Sequence, residues 1–368
     1  MSEKSVMVVG GAGIVGTNAV SYISHTPGIE RVIIADMNES RGAMLANGNT
    51  LSTALLGLYP KVEFQRMDLS NEDAVVSILE EKKPKVILNM ATMFSSYSYA
   101  PLIENRLKEL GIRSRLAGHS FAKDFVPIYK LMKAVKKSNI ETRVVNIAFP
   151  DHTNPVLGKV GLAPTSGAGT IDLTVEAMKM KIAEKLNAPI HNIHVTFVTH
   201  HALRAYPAGD VPYYLRIRLG EEDITKKFDV NQLIHESVQA TFGQENNAMV
   251  TASSGAKITL NILNNTGILG HAPGVKGMPG GYPVRLTWNG PEIILPPEVS
   301  MEEAERLNDV GMKMDGIEKI EEDGTIVFTE PTVRLMKEFL GIDWNRMRIS
   351  EAEKMAQELI AAYKRVGA

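Results

Sequence analysis

At 368 residues, with 44% hydrophobic and 22% charged side chains, the chain is long enough for about two domains of ordinary size, and a fibre or a short peptide is excluded. Its 40 basic and 42 acidic residues leave a formal net charge of -2, which argues against a nucleic-acid or membrane-surface binder. Without cysteine, disulfides, thiolate nucleophiles and Cys-ligated zinc are excluded, and no metal site is expected.

Short β-branched runs near 5–9, 31–35, 62–65, 85–89 and 142–148 alternate with helical stretches, the rhythm of βαβ units. Val-Met-Val-Val, Val-Ile-Ile-Ala and Val-Ile-Leu-Asn are continuous apolar runs, as strands of a parallel sheet buried on both faces must be. The spacing predicts an α/β fold: a doubly wound Rossmann domain over 1–155, then an α+β catalytic domain over 156–368. That second domain is expected to hold helices near 172–186, 230–242, 248–264, 301–313 and 350–366 and strands near 194–198 and 213–219. The Gly/Pro-rich stretch 270–281 reads as a mobile active-site wall or a subunit contact. No apolar run reaches the length of a membrane span, so a cytoplasmic protein is expected.

The strongest motif is Gly10-Gly11-Ala12-Gly13-Ile14-Val15-Gly16, a G-x-G-x-x-G directly after the first strand and opening a helix. Gly11 permits the tight turn, Gly13 lets the backbone approach a pyrophosphate, and Gly16 lets helix and strand pack closely. With Ala12, Ile14 and Val15 they form the expected cofactor cradle, to which the helix N-terminus adds positive potential. Asp36, ending the second strand, suits a ribose diol and repels a 2′-phosphate, so NAD is the expected cofactor, with NADP left open by Arg41 nearby. Met37 and Ala91 are the other expected nucleotide contacts.

Further along stand Asn154-Pro155-Val156, then Gly167-Ala168-Gly169-Thr170-Ile171-Asp172 opening a helix, then Thr199-His200-His201-Ala202 after a strand. A carboxylate there could orient an imidazole as acid/base dyads do. These three motifs, with Gly111-Ile112-Arg113-Ser114-Arg115-Leu116 upstream and Tyr282-Pro283-Val284-Arg285-Leu286 downstream, resemble the lactate/malate dehydrogenase family over most of the chain. The resemblance implies hydride transfer between a nicotinamide and a small hydroxy/oxo substrate, and a homodimer or homotetramer. It implies His201 as proton donor/acceptor, with His200 able to exchange roles, and Asp172 as its orienting partner. It also implies Arg115 as a transition-state or substrate clamp, and Asn154, Arg113 and Ser253 as substrate contacts. One departure matters chemically: where the family carries a carboxylate-binding arginine, three residues after the Asp, this chain has Val175. Another substrate, or another clamp among Arg113, Arg204 and Lys257, is expected.

Other readings remain open. The first half also resembles saccharopine dehydrogenase-like proteins through Asp36, Arg66-Met67-Asp68-Leu69 and Val86-Ile87-Leu88-Asn89. Tyr129-x-x-x-Lys133 matches the pair used by short-chain dehydrogenases, and transient oxidation by bound NAD would suit an epimerase. A dinucleotide-binding redox sensor or regulatory protein without turnover is the reading from another class. His191 and His194 read as surface residues.

Overall fold

Alternation along buried strands sets the layering of this computed structural model, which describes residues 3–96, 109, 117–241 and 244–366. The first half runs β1 (Ser5–Val9), α1 (Ile14–Ser24), β2 (Arg31–Asp36), α2 (Glu39–Leu55), β3 (Lys61–Arg66), α3 (Glu72–Lys82) and β4 (Val86–Asn89). It continues with α4 (Phe121–Ser138), β5 (Arg143–Asn146), α5 (Pro150–Lys159) and β6 (Ser166–Gly167). These strands form one parallel sheet in the order β3-β2-β1-β4-β5-β6. Chain direction across the sheet reverses between β1 and β4, where ligands of doubly wound folds bind.

Because side chains alternate across a strand, Val6, Val8, Val32, Ile34 and Leu88 join one core while Met7, Val9, Ile33, Ala35 and Ile87 join another. Each face needs a cover. The first lies under α1 and α8 (Gln244–Leu263) through Ala19, Val20, Ile23, Ala252 and Ala256. The second lies under α4 and the C-terminal α11 (Ala352–Val366) through Phe125, Leu131, Leu359 and Tyr363.

The remaining elements are small antiparallel sheets and their helices. β7 (Ile193–Val198), β8 (Tyr214–Leu219) and β9 (Glu222–Asp223) pack on α6 (Thr170–Leu186) and α7 (Val230–Gln239) around Ile182, Phe197, Ile217 and Leu233. β10 (Leu269–Pro273), β11 (Gly281–Thr287) and β12 (Gly290–Ile293) follow α8. Then come α9 (Met301–Met314), β13 (Ile317–Ile320), β14 (Ile326–Phe328), α10 (Glu330–Leu335) and β15 (Arg346–Met347).

The motif Asn154-Pro155-Val156 lies in a helix. β5 stops at Asn146, Phe149 turns into the left-handed region at φ 52, and Pro150 starts α5, with the motif inside the helix. The stretch 270–281 is partly strand. It completes β10 and begins β11, and His271 to Val275 are buried. Asn154 Nδ2 donates to Gly274 O at 3.0 Å, and the Phe197 amide donates to His271 Nε2 at 3.1 Å. Burial, with the nearby Lys257 charge, presses the His271 pKa down to about 3.

A Cβ on Gly16 would stand 2.2 Å from Gly10 O and 2.7 Å from Gly11 Cα, so α1 sits against its own turn only because this residue has no side chain. Gly48 in α2 meets nothing within 4 Å. Urea denaturation should therefore show Gly16→Ala destabilised by about 1–3 kcal/mol. Gly48→Ala should be stabilised by about 0.5–1 kcal/mol.

Candidate active site

The carboxyl ends of β1, β2, β4 and β5 open into a cleft of roughly 1210 Å³, closed on the far side by the turn after β7. At one end the Gly-rich turn is tied to β2. Gly10 N donates to Ala35 O at 2.8 Å, Ala12 N to Asp36 Oδ2 at 3.0 Å, and Asn38 N to Asp36 Oδ1 at 3.0 Å. Gly10 has φ 77, and a Cβ there would meet the Ala91 backbone at 2.9 Å. Gly13 caps α1 without a side-chain cap, so the first amides of that helix face the cleft without a competing oxygen. A pyrophosphate fits this arrangement on chemistry alone.

Of the residues expected to hold a nucleotide, Gly13, Ile14, Val15, Gly16, Asp36, Met37 and Ala91 line the cleft. Gly11 and Ala12 stand behind it. A Cβ on Gly11 would strike Ile34 and Val8, and Ala12 is buried with its amide on Asp36.

At the other end His201 lines the cleft, and its Nδ1 lies 2.7 Å from Asp315 Oδ2, not against Asp172. Asp315 follows the last turn of α9 and is fully buried. The same oxygen receives His152 Nε2 at 2.9 Å. Burial would raise the Asp315 pKa, but the attraction of His201 and the hydrogen bonds from His152 and His201 win, holding the carboxyl well below the usual range. Phe149 meets the His201 ring edge-on at 5.1 Å and lies 4.3 Å from His152, which limits how either ring can turn.

Asp172 serves elsewhere, a correction to the expected dyad. It is buried on α6, where it accepts Lys257 Nζ at 2.7 Å and Ser254 Oγ at 2.8 Å, and Lys257 also reaches Glu176 at 3.0 Å. Burial pushes the Asp172 carboxyl up against the pull of Lys257. Lys257 is thereby removed as a clamp.

Asn154 is likewise structural. It is buried, accepts Asn146 Nδ2 at 2.9 Å, and does not reach the cleft. Ser253 faces outward and donates to Met249 O, whereas Asn247 and Thr251 present the cleft-facing side of α8. Arg113 and Arg115 lie outside the described residues. Arg204 lines the cleft and donates to Thr241 Oγ1 at 2.9 Å.

His200 is turned inward. Its Nδ1 accepts the Ala202 amide, and burial lowers its pKa well below the ordinary histidine value. His152, His200 and Asp315 are the described cluster of metal-ligand type, with candidate ligand atoms within 4.8 Å. All three are buried; His200 Nδ1 accepts the Ala202 amide and His152 Nε2 faces Asp315, whereas His200 Nε2 and His152 Nδ1 have no hydrogen-bond partner among the described residues. Lys133 of the Tyr-x-x-x-Lys pair bonds Glu72 at 2.6 Å, and neither member lines the cleft. His191 and His194 are exposed.

Asp151 and Asp315 carried no role in the sequence reading. Asp315 does carry one local signal: a carboxylate just past a helix C-terminus opposes the helix dipole and needs a compensating cation.

The fold is arranged as in the lactate and malate dehydrogenases, with a doubly wound parallel sheet followed by small antiparallel sheets and their helices. Residues 6–104 match the family model described as the saccharopine dehydrogenase NADP binding domain. A lactate dehydrogenase from a Medee basin deep-sea metagenome library superposes with a TM-score of 0.60 at 16% identity, covering 85% of this chain and 97% of that one. Malate dehydrogenase from Picrophilus torridus gives 0.59 at 13% identity, covering 99% of each chain. Lactate dehydrogenase from Cryptosporidium parvum, crystallised with lactic acid and β-nicotinamide adenine dinucleotide, gives 0.57 at 17%, covering 86% and 99%. No curated protein sequence matches this chain.

A carboxyl held below its unfolded pKa adds stability above about pH 4, and that stability is lost as pH falls through the folded value. Asp315→Asn should therefore cost about 3–5 kcal/mol at pH 7 in urea denaturation, and the gap to wild type should narrow below about pH 4.

Proposed function

We propose that this chain is a nicotinamide-dependent oxidoreductase acting on a hydroxyl/carbonyl pair of a small molecule, with His201 moving the proton and Asp315 orienting it. The observation that carries the reading is the 2.7 Å His201–Asp315 bond, in the same cleft as the uncapped N-terminus of α1. Bound nicotinamide would supply or accept the hydride. Because a carboxylate donates nothing, the shared proton belongs to His201 Nδ1, which leaves Nε2 to bond the substrate oxygen. Neutral His201 takes the hydroxyl proton during oxidation. Protonated His201 returns it during reduction, with Asp315 stabilising the imidazolium.

NAD is the proposed cofactor, supported by Asp36 at the end of β2 and facing the cleft. Arg41 lines the same region, so Asp36→Ser should turn preference toward NADP by about tenfold or more in kcat/KM, read from initial rates with both cofactors. An unchanged ratio would remove Asp36 from that role.

His201→Gln should lower turnover about 10²–10⁴-fold while NADH binding, followed by fluorescence, stays within a few-fold of wild type. Equal turnover would overturn the assignment. Tight NADH binding with no oxidation by oxo acids, sugar ketones or imines would favour the sensor reading.

A homo-oligomer is also proposed, supported by the exposed Met44, Leu51 and Leu55 along α2. Light scattering should return a dimer or tetramer mass, and a monomer would refute it.

A further inference from the structure

One buried acid in the cleft takes no part in the proposed proton transfer. Asp151 opens α5, is 1% exposed, and lines the cleft beside Phe149 on the wall shared with His201. Neither of its carboxylate oxygens has a hydrogen-bond partner among the described residues. The ionisable groups that act on it are His201, His152 and Asp315. Both histidines are already turned to Asp315, through Nδ1 of His201 and Nε2 of His152. Among the described residues, no lysine or arginine is directed at it.

A buried carboxylate without partners is costly, and its two acceptors are satisfied most directly by a ligand. Burial raises the Asp151 pKa, and with no cation turned to it among the described residues the site offers nothing to hold a substrate carboxylate. Nor is the family's clamp present on α6, where Val175 is buried among Ile171, Met178 and Ile182. Two of the lysines on the cleft wall are drawn off, Lys123 to Asp124 at 2.7 Å and Lys130 to Glu353 at 2.6 Å.

We propose that Asp151 is a specificity-determining residue, and that the substrate presents a hydrogen-bond donor, a hydroxyl or an ammonium group, beside the carbon that reacts at His201. This rests on the oxidoreductase reading for the reacting carbon. The donor site itself stands on Asp151 alone.

The test is saturation-transfer NMR on the full chain, with and without NADH, against glycerol, myo-inositol, ethanolamine and serinol, and against their O-methyl or N-acetyl analogues. Donor-bearing compounds should bind wild type, and their analogues should bind at least tenfold more weakly. Asp151→Ala should lose that preference at least tenfold. Asp151→Asn, which keeps a carbonyl acceptor but no charge, should retain hydroxyl compounds and lose ammonium compounds, which separates the two donors. NADH fluorescence reports whether each variant is folded. Failure of NADH to bind wild type would defeat the oxidoreductase reading while leaving the donor comparison in force. If none of the donor compounds binds wild type, or if they bind wild type and Asp151→Ala alike, the proposal is overturned.

Discussion

The carboxylate of Asp315 is the constraint on which the candidate site depends. It is buried at the end of α9, and it accepts from His152 on α5 and from His201 after β7, residues 163 and 114 positions away. A negative charge at a helix C-terminus, out of contact with water, persists only where cations or donors surround it. The backbone closes around the same point. Gly118 N donates to Asp315 O at 2.8 Å, and a Cβ on Gly311 would stand 2.2 Å from the Cβ of His200. Helix α9 is thereby held against the turn that carries His201, and the imidazole is fixed in one tautomer at the edge of the cleft.

The opposite end of the cleft is governed by a second carboxylate with a different task. Each Asp36 oxygen accepts one amide, from Ala12 or Asn38, so the carboxylate shapes the Gly-rich turn while each oxygen keeps a second acceptor site. The sheet sets the distance between the two ends. The cleft lies at the carboxyl ends of its strands, and the order β3-β2-β1-β4-β5-β6 puts the opening beside β1 and β4. The Gly-rich turn and the His201–Asp315 pair therefore face one cleft, although their residues come from opposite halves of the chain.

Much of the fold was legible in the residues. The apolar runs of β1, β2 and β4 and the glycine spacing after β1 are local signals, because burial on both faces and close backbone approach each demand particular residue types within a few positions. His201 was legible for the same reason, as a histidine following a buried strand. Its partner was not. Asp172 stood at a helix start in the order that the resemblance supplied, yet Lys257 and Ser254 on α8 claim it. Asn154 is buried inside α5, and the rotation of α8 carries Ser253 away and turns Asn247 and Thr251 toward the cleft.

What the sequence determined by itself was the parallel sheet, the phosphate-type turn and the position of a histidine at the cleft, all consequences of spacing within single elements. What only the tertiary structure decided was which carboxylate faces which cation: Asp315 for His201, Lys257 for Asp172, and no protein partner for Asp151 among the described residues. The physical reason is that pairing of buried charges depends on the approach of distant elements, and a neighbour in space leaves no mark at a fixed interval along the chain.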